Sequence, residues 1–224
     1  MLPGKMTLEG TVADIRGLAL WEILSITSSC LIAEWVVLAF AGRGKSIASV
    51  PIILAIAFMF QSHRERAETP ALIGFRKENF FAAARMLLLP TIATIVLILI
   101  AGWVLSGRSF IIRPFRARFL LLPLWALFQQ YVLQGFINRR AQILLGKGVL
   151  SILLVAIIFS VVHLPNPLLS GLTLVGGAIW GAIYQRQPNL PALAVSHTAV
   201  SLTLAMTLPP HVLNGLRVGY KYFG

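Results

Sequence analysis

The chain has 224 residues, of which 58% are hydrophobic and 12% are charged, and this charged share is about half of that in a typical soluble domain. Nineteen Lys and Arg residues against seven Asp and Glu residues give a formal net charge of +12. The composition excludes an ordinary soluble globular protein and indicates an integral membrane protein.

The basic residues do not form a surface for nucleic acid. They fall in short connections between apolar runs, such as SGRSFIIRPFRAR and INRRAQILLGK, where Lys and Arg meet anionic headgroups and anchor helix ends. No basic stripe combines with stacking aromatic residues outside the apolar runs. The single cysteine, Cys30, excludes an intrachain disulfide. We expect a multi-pass protein of the cell membrane, with the lipid bilayer as a partner and no nucleic acid.

Apolar runs recur along most of the chain, and each bilayer-spanning helix needs about 20 apolar residues. The sequence predicts an all-α integral membrane protein, a bundle of about seven transmembrane helices with a central polar pocket. The predicted segments are Leu18–Phe40, Ile47–Phe60, Ala84–Leu105, Phe119–Ile137, Ile143–Val162, Leu168–Tyr184 and Pro191–Thr207. We expect N-terminal membrane helices with an interfacial loop over residues 1–118, a membrane core over residues 119–208 and a polar tail over residues 209–224.

The sequence also gives predictions for the short second segment, the loop that follows it and the tail. The second segment is short for a span, so it either thins the bilayer locally or extends through Gln61 and Ser62. The stretch that follows, QSHRERAETPALIGFRKENFF, is the most charged in the sequence and predicts a surface loop with an amphipathic segment at the interface. In the tail, Tyr220, Tyr222 and Phe223 are expected at headgroup level.

Three clusters of polar side chains interrupt the apolar runs of the predicted core. They are Gln129, Gln130 and Gln134 in FQQYVLQGFINRR, His163 in FSVVHLPNP, and His197 and Ser201 in SHTAVS. An unpaired side-chain amide in hydrocarbon costs several kcal/mol, so such groups normally face a bundle interior or a wet cavity. Taken singly, glutamines can join helices through amide hydrogen bonds, and a histidine at a helix end can be interfacial. Together, on three separate helices, these residues predict one polar pocket.

The carboxylates are confined to the first third of the chain. The last of them is Glu78, so the predicted core has no acidic side chain of its own. A carboxylate in the pocket would have to come from Glu22 or Glu34 on the first segment. These two residues lie twelve positions apart, about 120° around a helix, so at most one of them is expected to face the pocket.

The order of these motifs resembles the CAAX-protease and bacteriocin-processing family of intramembrane proteases, also called the Abi family. Its members carry E-E-x-x-x-R, F-x-x-x-H and H-x-x-x-N on successive core helices. QQYVLQGFINRR is similar to the first motif with its basic helix end, and FSVVHLPNP to the second. LTLVGGAIWGAIYQRQPNLPALAVSHTAVS is similar to the family's glycine-rich helix and third motif. The resemblance runs from near Phe119 to Ser201 and implies a polytopic membrane fold.

The resemblance also implies a role for each position. In the family, the first glutamate of motif one activates the attacking water, the motif-two histidine lies beside it, and the last histidine and asparagine position or stabilise the oxyanion. The matching catalytic positions here are Gln129, Gln130, Gln134, His163, His197 and Ser201. Gln129 stands at the general-base position, Gln134 at the arginine position and Ser201 at the asparagine position. Only the two histidines keep the family residue.

The glutamines look like a protease motif with its charges removed and its shape retained. Gln129 cannot act as general base, because a primary amide accepts no proton at physiological pH. Losing two Glu and one Arg together takes the helix from a net charge of −1 to neutral, so no charge is left uncompensated in a low-dielectric site.

Several functions fit this pattern. The leading interpretation is a catalytically altered or inactive homologue that binds a hydrophobic or prenylated peptide, or a membrane-protein partner. One alternative is an active membrane endopeptidase that uses His163 or His197 without the family glutamate, and another is a transporter or channel. We expect no cofactor. A divalent metal on His163 and His197 is the remaining alternative, although a catalytic zinc usually has three protein ligands.

Overall fold

A computed structural model describes residues 4–40, 47, 49–109, 112, 114 and 117–224 of the chain. All of the regular elements within these ranges are helical, which confirms the predicted all-α membrane bundle. The helices long and apolar enough to cross a bilayer are Val12–Phe40, Phe80–Leu105, Phe119–Leu145, Pro167–Arg186 and Leu190–Thr207. Two shorter helices match the other predicted segments, so the predicted count of seven is approximate.

The N-terminal part begins with one long helix. Helix α1 (Gly4–Leu31) continues through a π-helical turn (Ile32–Val37) into α2 (Leu38–Phe40). Helix α3 (Ser49–Glu65) runs beyond Phe60, as the short second segment suggested.

Between α3 and helix α5 (Phe80–Leu105) lies the short helix α4 (Pro70–Ile73). The Thr69 hydroxyl caps α4 by accepting a hydrogen bond from Leu72 N at 3.3 Å.

The predicted surface loop begins within the last turn of α3 and is partly buried. Ser62 and His63 are only 3% and 5% exposed. The segment after α4 is tied to the turn before the last long helix, since Leu190 N donates to Gly74 O at 2.8 Å. In addition, Tyr184 Oη donates to Ile73 O at 2.6 Å. This connection is therefore a fixed part of the bundle, because buried backbone groups are paired.

The motif-one helix is longer than predicted. It consists of α6 (Leu122–Gln130), a π-helical stretch (Tyr131–Asn138) and α7 (Arg139–Leu145). The prediction ended at Ile137, where the apolar pattern stops. The helix continues because Gln142 Nε2 donates to Asn138 Oδ1 at 2.9 Å and because its two arginines have buried partners, described below. It ends at Gly146, whose φ of 80° suits glycine.

Three further helices complete the core, and their caps explain their start points. They are α8 (Val149–Val161), α9 (Pro167–Arg186) and α10 (Leu190–Thr207). Asn166 and Asn189 cap α9 and α10 by accepting from backbone N–H groups at 3.1 and 2.9 Å. Helices α8 and α9 pack closely at Gly177, where an added Cβ would lie 3.0 Å from Ala156 Cα. Helix α10 packs against α5 and α6 and so faces the motif-one helix.

The tail folds back onto the bundle. After α11 (Pro210–Leu213), Gly219 N donates to Leu164 O at 2.8 Å. Asn166 Nδ2 donates to Leu213 O at 3.1 Å. The Phe223 ring lies 6.3 Å from Trp35, so the tail reaches the end of the first long helix. The three-part division at residues 118 and 208 stays a prediction.

Candidate active site

One cavity brings together side chains from three of the predicted motifs. It has a volume of about 170 Å³, and Gln129, His163, His197 and Ser201 are among its lining residues. They come from α6, from the turn after α8 and from α10, as the motif order predicted. The cavity has room for several waters or for a peptide group.

His163 is held in one tautomer by its own helix. Its Nδ1 lies 2.7 Å from the backbone oxygen of Phe159, and since a carbonyl only accepts, Nδ1 carries the proton. In the neutral ring the lone pair is then on Nε2. The Phe159 ring meets the imidazole edge-on at 4.9 Å and fixes its plane. His163 can therefore accept a proton or a hydrogen bond through Nε2.

His197 has the opposite tautomer. The Nε2 amide group of the fully buried Gln130 donates to His197 Nδ1 at 3.3 Å. The proton of the neutral imidazole is therefore on Nε2. The Trp180 ring lies 4.5 Å from His197 at an interplanar angle of 31° and holds it in place. The cavity thus has a lone pair on one histidine and an N–H donor on the other.

Gln134 lies apart from the histidines and lines neither this cavity nor the one described next. Its Oε1 accepts a hydrogen bond from Asn138 Nδ2 at 2.7 Å. Asn138 Oδ1 in turn accepts from Gln185 Nε2 at 3.0 Å, and Gln185 donates to Ser151 at 2.9 Å. Gln134, the predicted arginine position of motif one, therefore belongs to a buried amide network. The sequence could have predicted the first hydrogen bond of this network, since Asn138 follows Gln134 by one helical turn.

A second cavity adjoins the first and has a volume of about 140 Å³. Gln129, His163 and Trp125 line both cavities. The rest of its lining is largely apolar, from Ile26 on α1 through Ile56 on α3 to Val132 on the motif-one helix. Glu34 lies in the same lining, which brings one carboxylate into the cavity that contains Gln129, the predicted general-base position. The expectation that at most one of Glu22 and Glu34 faces the pocket is confirmed for these two cavities.

Glu22 instead belongs to a buried ionic cluster, which we define as Glu22, Ser62, His63, Arg66, Glu68, Arg139 and Arg140. Arg140 lies at its centre, 0% exposed, with Nε 3.0 Å from Glu22 and Nη1 2.9 Å from Glu68. The prediction that this basic helix end meets lipid headgroups is wrong for Arg140, because its carboxylate partners lie inside the bundle. Sequence reasoning missed the cluster because its members are far apart along the chain.

Hydrogen bonds and positive charges in the cluster keep the Glu68 carboxylate ionised. Burial acts to raise the pKa of Glu68, but hydrogen bonds from His63 and Arg139 and the charge of Arg140 lower that pKa to about 2. The carboxylate is therefore ionised at neutral pH. His63 Nδ1 donates to it at 2.6 Å. The cluster joins α1, α3 and the motif-one helix.

The metal hypothesis concerns the two histidines of the first cavity. A catalytic zinc usually has three protein ligands. Within the ranges that the structure describes, no group of three or more His, Cys, Asp or Glu side chains is arranged to hold a metal ion. A metal on His163 and His197 stays a prediction.

Comparison with known families tests the resemblance that the motifs suggested. Residues 111–203 match the family model of the type II CAAX prenyl endopeptidases, described as Rce1-like. This segment is CAAX-protease-like. The matched range contains all six predicted site positions, and it confirms the suspected family resemblance. With its apolar helices, the chain is a multi-pass membrane protein, and its segment 111–203 is similar to the CAAX prenyl endopeptidases.

Among curated proteins and among solved structures, none matches the chain.

Proposed function

We propose that this CAAX-protease-like chain binds an apolar or prenylated peptide across the two cavities that meet at Gln129 and His163. The observation that carries the proposal is this junction, where an apolar cavity and a more polar one share three lining residues. Ligand sites are typically concave and apolar with a few convergent polar groups. The junction has both properties.

The two cavities suit different parts of such a ligand. The cavity beside α1 and α3 is lined by aliphatic and aromatic side chains, which favour a prenyl or other apolar chain. The cavity beside α10 contributes the His197 N–H group and the Ser201 hydroxyl, both of which can donate to a peptide carbonyl. The name of the matched family, a prenyl endopeptidase, supports the same ligand class.

The resemblance implies that the chemistry of the family is altered at Gln129. This side chain lies at the junction, and the resemblance matches it to the general base of the family, but an amide takes up no proton at neutral pH. Binding in this site therefore does not depend on a motif-one carboxylate. The fully buried Gln130 keeps a hydrogen bond to His197 without adding charge to the pocket.

Hydrolysis is the second candidate function, and the tautomers of the histidines favour it. His163 has a lone pair on Nε2, so it can accept a hydrogen bond from an attacking water. His197 has an N–H group on Nε2, so it can donate to the oxygen of a polarised carbonyl. These are the complementary groups that amide hydrolysis needs.

Equilibrium binding in lipid nanodiscs tests the proposal. The probe is a fluorescent peptide with a farnesylated C-terminal cysteine motif, and its unfarnesylated form is the reference. Ile56 lines the apolar cavity, so Ile56→Trp fills it and is expected to weaken binding about 10-fold or more. Leu89→Trp is the matched control, because Leu89 is 76% exposed on α5 and lines neither cavity.

Three results would decide the question. Weaker binding in Ile56→Trp alone, with little change on adding EDTA, supports a metal-independent site in the apolar cavity. Equal weakening by both tryptophan variants would place the probe on the lipid-facing surface. Absence of saturable binding to the native chain would contradict the proposal.

A further inference from the structure

We infer that Glu34, from the first long helix, is the carboxylate that replaces the missing motif-one glutamate and makes the site hydrolytic. The inference rests on the proposed binding of an apolar or prenylated peptide and adds a reaction to it. Its starting point is one juxtaposition: Glu34, Gln129 and His163 line the same cavity of about 140 Å³.

The sequence leaves few carboxylates that could take this role. No Asp or Glu follows Glu78, so the matched segment 111–203 has none. Glu22 and Glu68 are engaged by arginines in the buried ionic cluster. Glu34 is the acidic residue among the lining residues of the two cavities at the junction.

One oxygen of the Glu34 carboxylate is available to a ligand or a water. Among the described residues, its Oε2 is buried and has no hydrogen-bond partner. A buried carboxylate oxygen in that state costs free energy unless a ligand, water or proton satisfies it. The other polar groups of the cavity wall nearby are Thr27 and Cys30. Lys221 of the tail attracts the carboxylate electrostatically.

The backbone around Glu34 departs from a regular α-helix. Glu34 lies within the π-helical turn Ile32–Val37, and such turns are rare and frequent at functional sites. The tail packs directly against it: a Cβ at Gly219 would lie 2.8 Å from both Glu34 Cβ and Glu34 O. Gly219 also has a φ of 56°, a conformation that favours glycine. The turn that carries Glu34 is therefore held by a contact that only glycine allows.

The reaction assigned to this site is hydrolysis of a peptide bond. A water between Glu34 and His163 loses a proton to the Glu34 carboxylate as its oxygen bonds to the carbonyl carbon. His163 Nε2 accepts the second hydrogen bond of that water, and the His197 N–H group donates to the carbonyl oxygen. As the carbon–nitrogen bond breaks, the proton on Glu34 passes to the leaving nitrogen. One water is consumed, and one carboxyl and one amine group form.

The test is cleavage of the farnesylated peptide by the native chain in nanodiscs, followed by mass spectrometry of the fragments. Glu34→Gln is expected to lower the turnover rate about 100-fold or more, the usual size of a general-base effect, while the Kd for the peptide changes by less than about threefold. Glu78→Gln is the matched control, since Glu78 is exposed and outside both cavities. It is expected to leave the rate unchanged.

A rescue variant separates a chemical role from a structural one. Glu34→Gln combined with Gln129→Glu moves the carboxylate to another lining position of the same cavity, and we expect it to regain cleavage. Native-like turnover by Glu34→Gln would overturn the inference, and so would a native chain that binds the peptide without cleaving it. In the second case the proposed binding function stands, whereas absence of binding would remove both.

Discussion

The two ends of the motif-one helix deal with polar residues in opposite ways. At one end, Gln129 and Gln130 are neutral and lie beside cavities. At the other end, Arg139 and Arg140 are charged and surrounded by carboxylates at 2.6 to 3.0 Å. Both ends lie inside the bundle, yet only the second holds paired charges.

The difference indicates a separate role for each end of the helix. A buried charge is tolerated when partners surround it, and it then fixes the packing of the helices that supply them. A cavity that receives a ligand offers no such fixed partners, so neutral amides suit its wall better than charges do. On this view the ionic cluster holds the bundle together, and the neutral end leaves space for a ligand and for the single carboxylate of Glu34.

The largest expected effect comes from breaking the ionic cluster. Arg140→Met leaves the carboxylates of Glu22 and Glu68 without their central partner and should destabilise the fold by about 3 kcal/mol, a fall in Tm of roughly 10 °C. The measurement is thermal unfolding of the purified protein in detergent. Arg186→Met is the control, because Arg186 is exposed at the end of α9, and it should cost less than about 0.5 kcal/mol. Equal Tm values for the two variants would refute a structural role for the cluster.

A smaller effect is expected from pH, acting through Glu68. Its pKa is lowered in the folded protein from an ordinary value of 4.5 to about 2. Its contribution to stability is therefore complete above about pH 4.5 and is lost as the pH falls from there toward 2. The Tm of the native chain should fall by several degrees more than that of Glu68→Gln between about pH 6 and about pH 3. Parallel curves for the two proteins would show that Glu68 is not the group responsible.

The smallest effect comes from restoring charge at the neutral end. Gln130 is fully buried beside His197, so Gln130→Glu should cost about 2 kcal/mol. Gln129 is only half-buried at the cavity junction, and Gln129→Glu should cost less than about 1 kcal/mol, because water in the cavities can solvate the carboxylate. Thermal unfolding of the two variants at neutral pH measures the difference. Equal stability would mean that the neutrality of this end has no structural reason.

The sequence predicted the elements of the site better than their surroundings. The apolar lengths located the helices, and the motif order brought His163 and His197 to one cavity, because both follow from patterns local to one helix. Helical periodicity also predicted that at most one of Glu22 and Glu34 faces the pocket. It could not say which of the two, since that depends on how α1 is rotated against α3 and the motif-one helix.

The ionic cluster could not be predicted for a similar reason. Arg140 and Glu68 are 72 positions apart and meet only through the packing of separate elements. A charged stretch such as QSHRERAETP reads as a surface loop unless its partners are known. The contact between the π-helical turn at Glu34 and Gly219 in the tail was equally hidden, because the two residues are far apart along the chain.

Photo-crosslinking is the most direct measurement of the central claim, that a ligand occupies the cavities at the junction of Gln129 and His163. A farnesylated peptide with a diazirine on its prenyl chain would be irradiated with the native chain in nanodiscs, and the labelled residues identified by mass spectrometry. The account predicts labels on the apolar lining, at Ile56 and Val132, lost when unlabelled farnesylated peptide competes. Labels confined to lipid-facing side chains such as Leu89 and Leu97, unaffected by competition, would contradict it.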